Sequence, residues 1–172
     1  AGIMFNREFI SYKVDSIYKG KKIILKDIVI KNKDVPEEFF VDKKVAEDKE
    51  NGWAFHKGAK QKQRKDKKTG FVYTFSEGAM NLTDDLNKAS RTIITGEGGN
   101  SPSRTKHLIK NNGKFRRLTP LELERLNMFP DNFTKSGING NILPTKRAFL
   151  MGNALVVGVV EKIGITLKNN DF

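Results

Sequence analysis

The apolar positions of this chain fall in short groups rather than long runs. Residues 1–34 carry small apolar clusters between lysine-rich turns, and "IILKDIV" (23–29) fits either the start of a helix or a short strand. In "DVPEEFFVDKKVAE", Asp34 stands ahead of Pro36, Glu37 and Glu38, the composition of a helix N-terminus. Residues 47–70 are polar and basic around Trp53 and Phe55 and read as a loop. "FVYTFS" (71–76) alternates as a strand does, and "RTIIT" (91–95) predicts another strand, broken by the glycines of "GEGG" (96–99).

The pattern is sharpest after residue 113. In "TPLELERLNMFP", Thr119 is an N-cap, Pro120 takes the first helical position and Glu122 completes a capping box. Leu123, Leu126 and Phe129 then share one face, and Pro130 stops a helix over 119–129. "TKRAFLMGNALVVGVVEKIG" predicts two helical pieces broken at Gly152-Asn153, with Asn153 capping the second. The apolar run Ala154 to Val160 is too short to cross a bilayer. No run of 18 apolar residues exists, so no membrane span or membrane partner is expected.

Charge adds a partner class. The 32 Lys and Arg residues against 20 Asp and Glu leave a net charge of +12, which favours a polyanion such as nucleic acid. The competing explanation is lysine scattered by an AT-biased genome. Lys57, Lys60, Lys62, Arg64, Lys65, Lys67 and Lys68 crowd into one short segment, as either a phosphate footprint or a solvated loop. The 172 residues suffice for one domain, or one domain with an appendage. The start of the sequence has no signal-peptide pattern and no Met, which suggests a processed chain or a piece of a longer one.

Self-sufficient chemistry is hard to find. Cysteine is absent, which removes disulfides, thiolate zinc sites and a cysteine nucleophile. His56 and His107 have no partner at metal-ligand spacing. The GxSxG elbow is missing, and "GEGGNSPS" fits neither a P-loop nor a dinucleotide loop opening a helix. Nucleic-acid reading fits "SRTIITGEGGNSPSRTKH" (90–107) better. A strand with Arg91, Thr92 and Thr95, followed by glycines, can bring backbone N–H groups and base-reading side chains into a groove. Arg104, Lys106 and His107 add phosphate contacts. A plain hairpin with charged flanks is the alternative.

"GKFRRLTPLELERLNMFPDNF" and "KRAFLMGNALVVGVVEKIG" together resemble the ninth and tenth conserved blocks of bacterial DNA (cytosine-5) methyltransferases. The first is met by Arg116 or Arg117, Leu118, Thr119, Pro120, Glu122, Arg125, Leu126, Phe129 and Pro130. The second is met by Gly152, Asn153, Ala154, Leu155 and Ile163-Gly164. The family's cofactor-binding glycine block, its Pro-Cys nucleophile, its Glu-Asn-Val block and its Arg-x-Arg block have no counterpart here.

This resemblance implies an α+β fold: a small mixed recognition domain of short strands and loops with a brace helix (1–143, including the helix 119–129). It also implies a C-terminal segment (144–172) that packs on a Rossmann-like catalytic domain. It implies double-stranded DNA and a catalytic half as partners, restriction-modification as context, and the cytoplasm, near the nucleoid, as location. Arg91, Thr92, Thr95, Glu97, Gly98 and Gly99 become candidates for base reading. Arg104, Lys106, His107, Lys57, Lys60, Lys62 and Arg64 become candidates for other DNA contacts. Gly152, Asn153 and Ala154 are implied to border S-adenosylmethionine once the catalytic half is present. No catalytic residue is expected in this chain, which alone is expected to be inactive. The readings from other classes are a stand-alone DNA-binding module and a small basic RNA-binding protein.

Overall fold

A computed structural model describes residues 1–15, 18–138 and 140–169. Its elements are β1 (Gly2–Phe5), β2 (Glu8–Ser11), α1 (Leu25–Ile28), β3 (Phe40–Val41), α2 (Lys43–Glu47), α3 (Trp53–Lys57), β4 (Lys60–Lys65) and β5 (Val72–Glu77). Then follow β6 (Ile109–Asn111), β7 (Lys114–Arg116), α4 (Pro120–Leu126), β8 (Ser136–Gly137), β9 (Gly140–Asn141), α5 (Pro144–Asn153) and α6 (Val157–Asn169). The mixture of helices and small antiparallel sheets is consistent with the α+β expectation. One sheet has three strands in the order β3-β7-β6, and β1-β2, β4-β5 and β8-β9 are two-stranded.

Several local expectations change. "IILKDIV" is a single helical turn, α1. The helix expected after Asp34 is only a short 3₁₀ turn at Glu37–Phe39. The helix proper, α2, begins after Asp42, whose carboxylate accepts from the Lys44 amide. Residues 60–65, expected as loop, form β4, because each pairs in register with β5 from Lys60↔Glu77 to Lys65↔Val72. "RTIIT" is not a strand; it runs through residues 91–94 unpaired and turns at Thr95.

The core has two clusters. Leu25, Ile109, Leu118, Leu123, Ala148 and Met151 make the larger, and Ala46, Trp53, Leu108 and Phe115 the smaller. Successive residues of an extended segment point to opposite sides, so Leu108 enters one cluster and Ile109 the other. Two neighbouring positions therefore stitch both clusters together.

Helix α4 is where sequence and structure agree most closely. Thr119 accepts from the Glu122 amide, and the Glu122 carboxylate accepts from the Thr119 amide at 2.7 Å. Glu122 does more than cap. Both its oxygens take the Arg116 guanidinium, at 2.7 and 2.9 Å, and the Ile30 amide donates to it at 2.9 Å. Both side chains are fully buried. Arg116 also donates to Asn32 Oδ1, the Ile30 carbonyl and the Arg117 carbonyl. All five guanidinium N–H donors are thereby used. Glu124, two residues on, is also buried. It accepts from the Asn132 and Thr134 amides, the Thr134 hydroxyl and Arg147 of α5.

The helix ends earlier than the proline implies. It stops at Leu126, because Met128 takes a left-handed φ of 62°. Asn127 then donates to the Met151 carbonyl at 2.8 Å and ties α4 to α5. Helix α5 runs through Gly152-Asn153, and the break comes at residues 154–156. Asn153 closes α5 by donating to the Phe149 carbonyl and does not cap α6. Pro144, the expected domain boundary, starts α5, yet Ala148 and Met151 belong to the larger core cluster.

Contrary to the sequence expectation, the stretch Pro144–Asn169 is long and apolar enough, by length and composition, to cross a membrane. The reason is that only Glu161 and Lys162 are charged between Ala148 and Ile165, and uncharged Gly and Asn residues do not interrupt the window. The half formed by α5 packs in the core. The half formed by α6 exposes Val159, Val160, Ile163, Ile165 and Leu167.

Glu122→Ala strands a buried guanidinium, which costs about 3–5 kcal/mol. Thr119→Ala removes the cap and one hydroxyl donor to Glu122, together worth about 1–2 kcal/mol. Urea denaturation of both variants should return that order and spacing.

Candidate nucleic-acid interface

The stretch 90–107 lies folded into the body of the protein. Glu97 is buried and accepts from the His107 amide at 3.1 Å and pairs with the His107 ring at 2.8 Å. The far side of that ring meets the Ser90 hydroxyl at 3.0 Å. Arg91 forms a two-point pair with Asp84 and donates to the Thr105 and Lys106 carbonyls at 3.0 and 3.2 Å. Asp84 also accepts from the Leu108 amide and faces the buried Lys57 ammonium at 3.9 Å. Lys106 turns inward too, donating to the Gly99 and Ser101 carbonyls.

These partners set the titration of the cluster. Burial pushes Lys57 below the usual lysine range, and the neighbouring Asp84 charge only partly offsets it. Burial works against ionised Asp84, but the Arg91 hydrogen bond and the charges of His107, Lys57 and Arg91 prevail and hold its carboxyl below the ordinary value. Burial and nearby Arg117 lower Lys106.

The glycines also serve packing. A Cβ on Gly98 would lie 2.7 Å from the Thr145 Cα, and one on Gly99 would lie 3.0 Å from the Lys106 ammonium. A Cβ on Gly152 would overlap the backbone of Ile94 and Thr95. Glycine at 98 and 152 therefore lets α5 lie directly on the 94–98 turn. Of the residues expected to read bases, Arg91, Glu97, Gly98 and Gly99 are committed to internal partners, whereas Thr92 and Thr95 are exposed. Lys57, Lys106 and His107, expected to contact DNA, are buried. The same network keeps these side chains inside.

Arg104 has a different task. It donates to the Gly58 carbonyl at 3.3 Å and the Gly78 carbonyl at 2.5 Å, with Glu77 beside it at 3.7 Å. Gly58 and Gly78 flank β4 and β5, so one guanidinium clamps both feet of this ribbon. The Met80 amide, bonded to the Lys57 carbonyl at 2.8 Å, adds a second tie.

Above the clamp the ribbon projects into solvent. Lys60, Lys62 and Arg64 alternate along β4 and share a face with Phe75 and Tyr73 of β5. Arg64 lies over the Phe75 ring at 3.8 Å, Lys60 lies over Phe55 at 4.5 Å, and Phe71 stacks with Tyr73 at 6.4 Å. Asp66 caps the tip, accepting from the Lys68 amide, the Thr69 amide and the Thr69 hydroxyl, and Gly70 turns the chain with a φ of 72°. The Thr69 amide and hydroxyl, with the Lys68 amide, hold the Asp66 carboxyl below its ordinary value. Lys65, Lys67 and Lys68 surround that turn. Such cations also keep a bare strand edge from pairing with another chain.

Gly152, Asn153 and Ala154 do not form a cradle for S-adenosylmethionine by themselves. The space beside Gly152 is filled by Thr95, Ala154 is half-buried, and only Asn153 presents an exposed side chain. Gly152 and Ala154 line an apolar groove of about 500 Å³ that includes Ile24, Ile93, Leu126 and Leu155. Residues that local sequence reading missed are Asp84, which has no local motif and gathers partners as distant as Leu108, and the glutamines between the β4 cations.

A family profile described as C-5 cytosine-specific DNA methylase matches residues 7–169. The chain is also similar to Type II methyltransferase M.Sau3AI of Staphylococcus aureus, with 38% identity over 173 residues. That alignment covers 99% of this chain and 38% of the relative, so the chain spans well under half of the relative's length.

Because the folded Asp84 carboxyl titrates below its ordinary value of 3.8, its stabilising effect is full above that pH. It is lost as pH falls through the folded value. Asp84→Asn should flatten the acid limb of a pH–stability curve. At neutral pH it should cost about 3–5 kcal/mol, because Arg91 and Lys57 lose their counter-charge. Lys57→Met leaves Arg91 on both Asp84 and the Lys106 carbonyl, and should cost less than about 1.5 kcal/mol by thermal denaturation.

Proposed function

The chain belongs to the C-5 cytosine-specific DNA methylase family, and from that premise we propose that it is the DNA-recognition half of a DNA (cytosine-5) methyltransferase. The observation that carries this reading is a family match along nearly the whole chain, in a sequence without cysteine. Attack on C6 of cytosine needs an activated thiolate, so the nucleophile belongs to a catalytic half, on this polypeptide or another. Chemistry on a stacked base is sterically blocked, so the target cytosine leaves the duplex to react. The work left to this chain is to hold the duplex in register while that happens.

Its groups suit that work. Lys62, Arg64, Lys65, Lys67 and Lys68 stand exposed on the ribbon as phosphate partners. Arg104, Arg91, Glu97, Lys106 and His107 hold the ribbon and the 90–107 stretch in fixed relation to α5. Thr92 and Thr95 remain exposed for DNA or for the catalytic half. The apolar side chains of α6 cover a surface of the catalytic half, and Asn153 and Ala154 meet it at the edge of the S-adenosylmethionine pocket. The cofactor supplies the methyl group when bound.

Mixed with a family catalytic half that carries the cysteine, duplex DNA and labelled S-adenosylmethionine, the chain should restore methyl transfer to cytosine. Neither half should transfer alone. Transfer by this chain alone, or none by any mixture of folded halves, overturns the reading. Lys62→Ala with Arg64→Ala should weaken binding to all duplexes alike, and the salt dependence should drop by about 0.9 in log–log slope for each phosphate that is no longer neutralised.

A further inference from the structure

The β4–β5 ribbon has a second face that neither the charge pattern nor the aromatic row explains. Gln61, Gln63 and Lys65 alternate with Lys60, Lys62 and Arg64 along β4, and Ser76, Thr74 and Val72 stand opposite them on β5. All six are exposed. Among the described residues, the side chains of Gln61, Gln63, Thr74 and Ser76 have no hydrogen-bond partner. Asp66 is engaged within the tip turn, so no free carboxylate stands on this face.

We propose, resting on the DNA-recognition reading above, that this ribbon enters the major groove of duplex DNA with the Gln61, Gln63 and Thr74 face toward the bases, and that the two glutamines read adenines.

The dimensions and the chemistry agree. A two-stranded ribbon fits a groove about 12 Å wide and about 8.5 Å deep. Six residues of strand extend about 20 Å, enough to cross it. Gln61 and Gln63 are separated by about 7 Å along the strand, close to two steps of about 3.4 Å between base pairs. A glutamine amide carries one donor group and one acceptor side by side on the same carbon. That pair matches N7 and the N6 amino group of adenine, which no other base presents in the same arrangement.

The opposite face suits the walls of the groove better than its floor. Arg64 is laid over Phe75, and Lys60 is held against Phe55 and the His56 carbonyl. Lys62 and the tip lysines have long stems that reach phosphates from either strand edge. Arg104 keeps the feet of the ribbon fixed, so the glutamines reach the groove in a set register.

The test uses the full chain and a duplex library randomised over ten base pairs, followed by fluorescence anisotropy on the selected duplex and its single-base variants. The expected result is a preference for A·T at two positions two steps apart. Gln61→Ala and Gln63→Ala should each remove one of them. Each should lose on the order of ten- to a hundredfold in discrimination against G·C, with the salt dependence unchanged. Both positions are exposed, and circular dichroism with thermal melting verifies the fold. A wild-type preference retained by both glutamine variants overturns the proposal. So does a preference lost only with Lys62→Ala and Arg64→Ala, which would turn the cation face to the bases. Duplex binding with no base preference also overturns it while leaving the DNA-recognition reading standing. No duplex binding at all removes that reading as well.

Discussion

The buried Arg116–Glu122 pair is the interaction on which the rest of this fold depends. Three segments meet there: the strand ending at Arg116, the start of α4 just after it, and, far away in sequence, the chain leaving α1 at Ile30 and Asn32. A lone carboxylate or guanidinium in that position would cost several kcal/mol in lost hydration. The pair is tolerable because Arg116 spends all five donors and Glu122 receives five, the Thr119 hydroxyl being the fifth. The same completeness makes it exacting, since a shift of any one segment leaves several groups unpaired at once. Apolar contact around Leu118 and Leu123 supplies much of the driving force, and the ion pair fixes which arrangement of segments receives it.

Charge in this protein is divided by depth. The interior holds Glu97 with His107, Asp84 with Arg91 and Lys57, and Glu124 with Arg147, each carboxylate set beside a basic side chain. The surplus of cations lies outside, much of it on the projecting ribbon. Net charge therefore says less about affinity for a polyanion than do the cations that have no internal carboxylate. Lys57 and Lys106 count toward the sum, yet their buried ammonium groups cannot touch a phosphate at the surface.

What the sequence makes legible follows the range of the interaction. The capping box at Thr119–Glu122 is contained within four residues and can be read directly. The alternation of residues 71–76 likewise marks β5. Residues 91–95 read wrongly as a strand because their isoleucines fit one locally. Their real conformation is set by Asp84, His107 and the bare glycine surfaces that α5 occupies, none of which leaves a local mark. Arg91 and Glu97 look like exposed readers for the same reason: a side chain's polarity does not disclose whether its partner is water or a carboxylate brought in from elsewhere. The glutamines of β4 escape notice because seven nearby cations dominate the segment. The end of α4 is misplaced by its proline because Met128 adopts a conformation seldom taken by its residue type.

The clamp of Arg104 on Gly58 and Gly78 has a consequence for how such a protein changes over time. Both feet of the ribbon are held through main-chain carbonyls, which any residue supplies, and few side chains of the ribbon are needed by the core. The segment between them behaves as an exchangeable cassette. It can be lengthened, shortened or rewritten without disturbing the charge network beneath, so a lineage can vary this outer surface while the residues that fold the chain stay untouched.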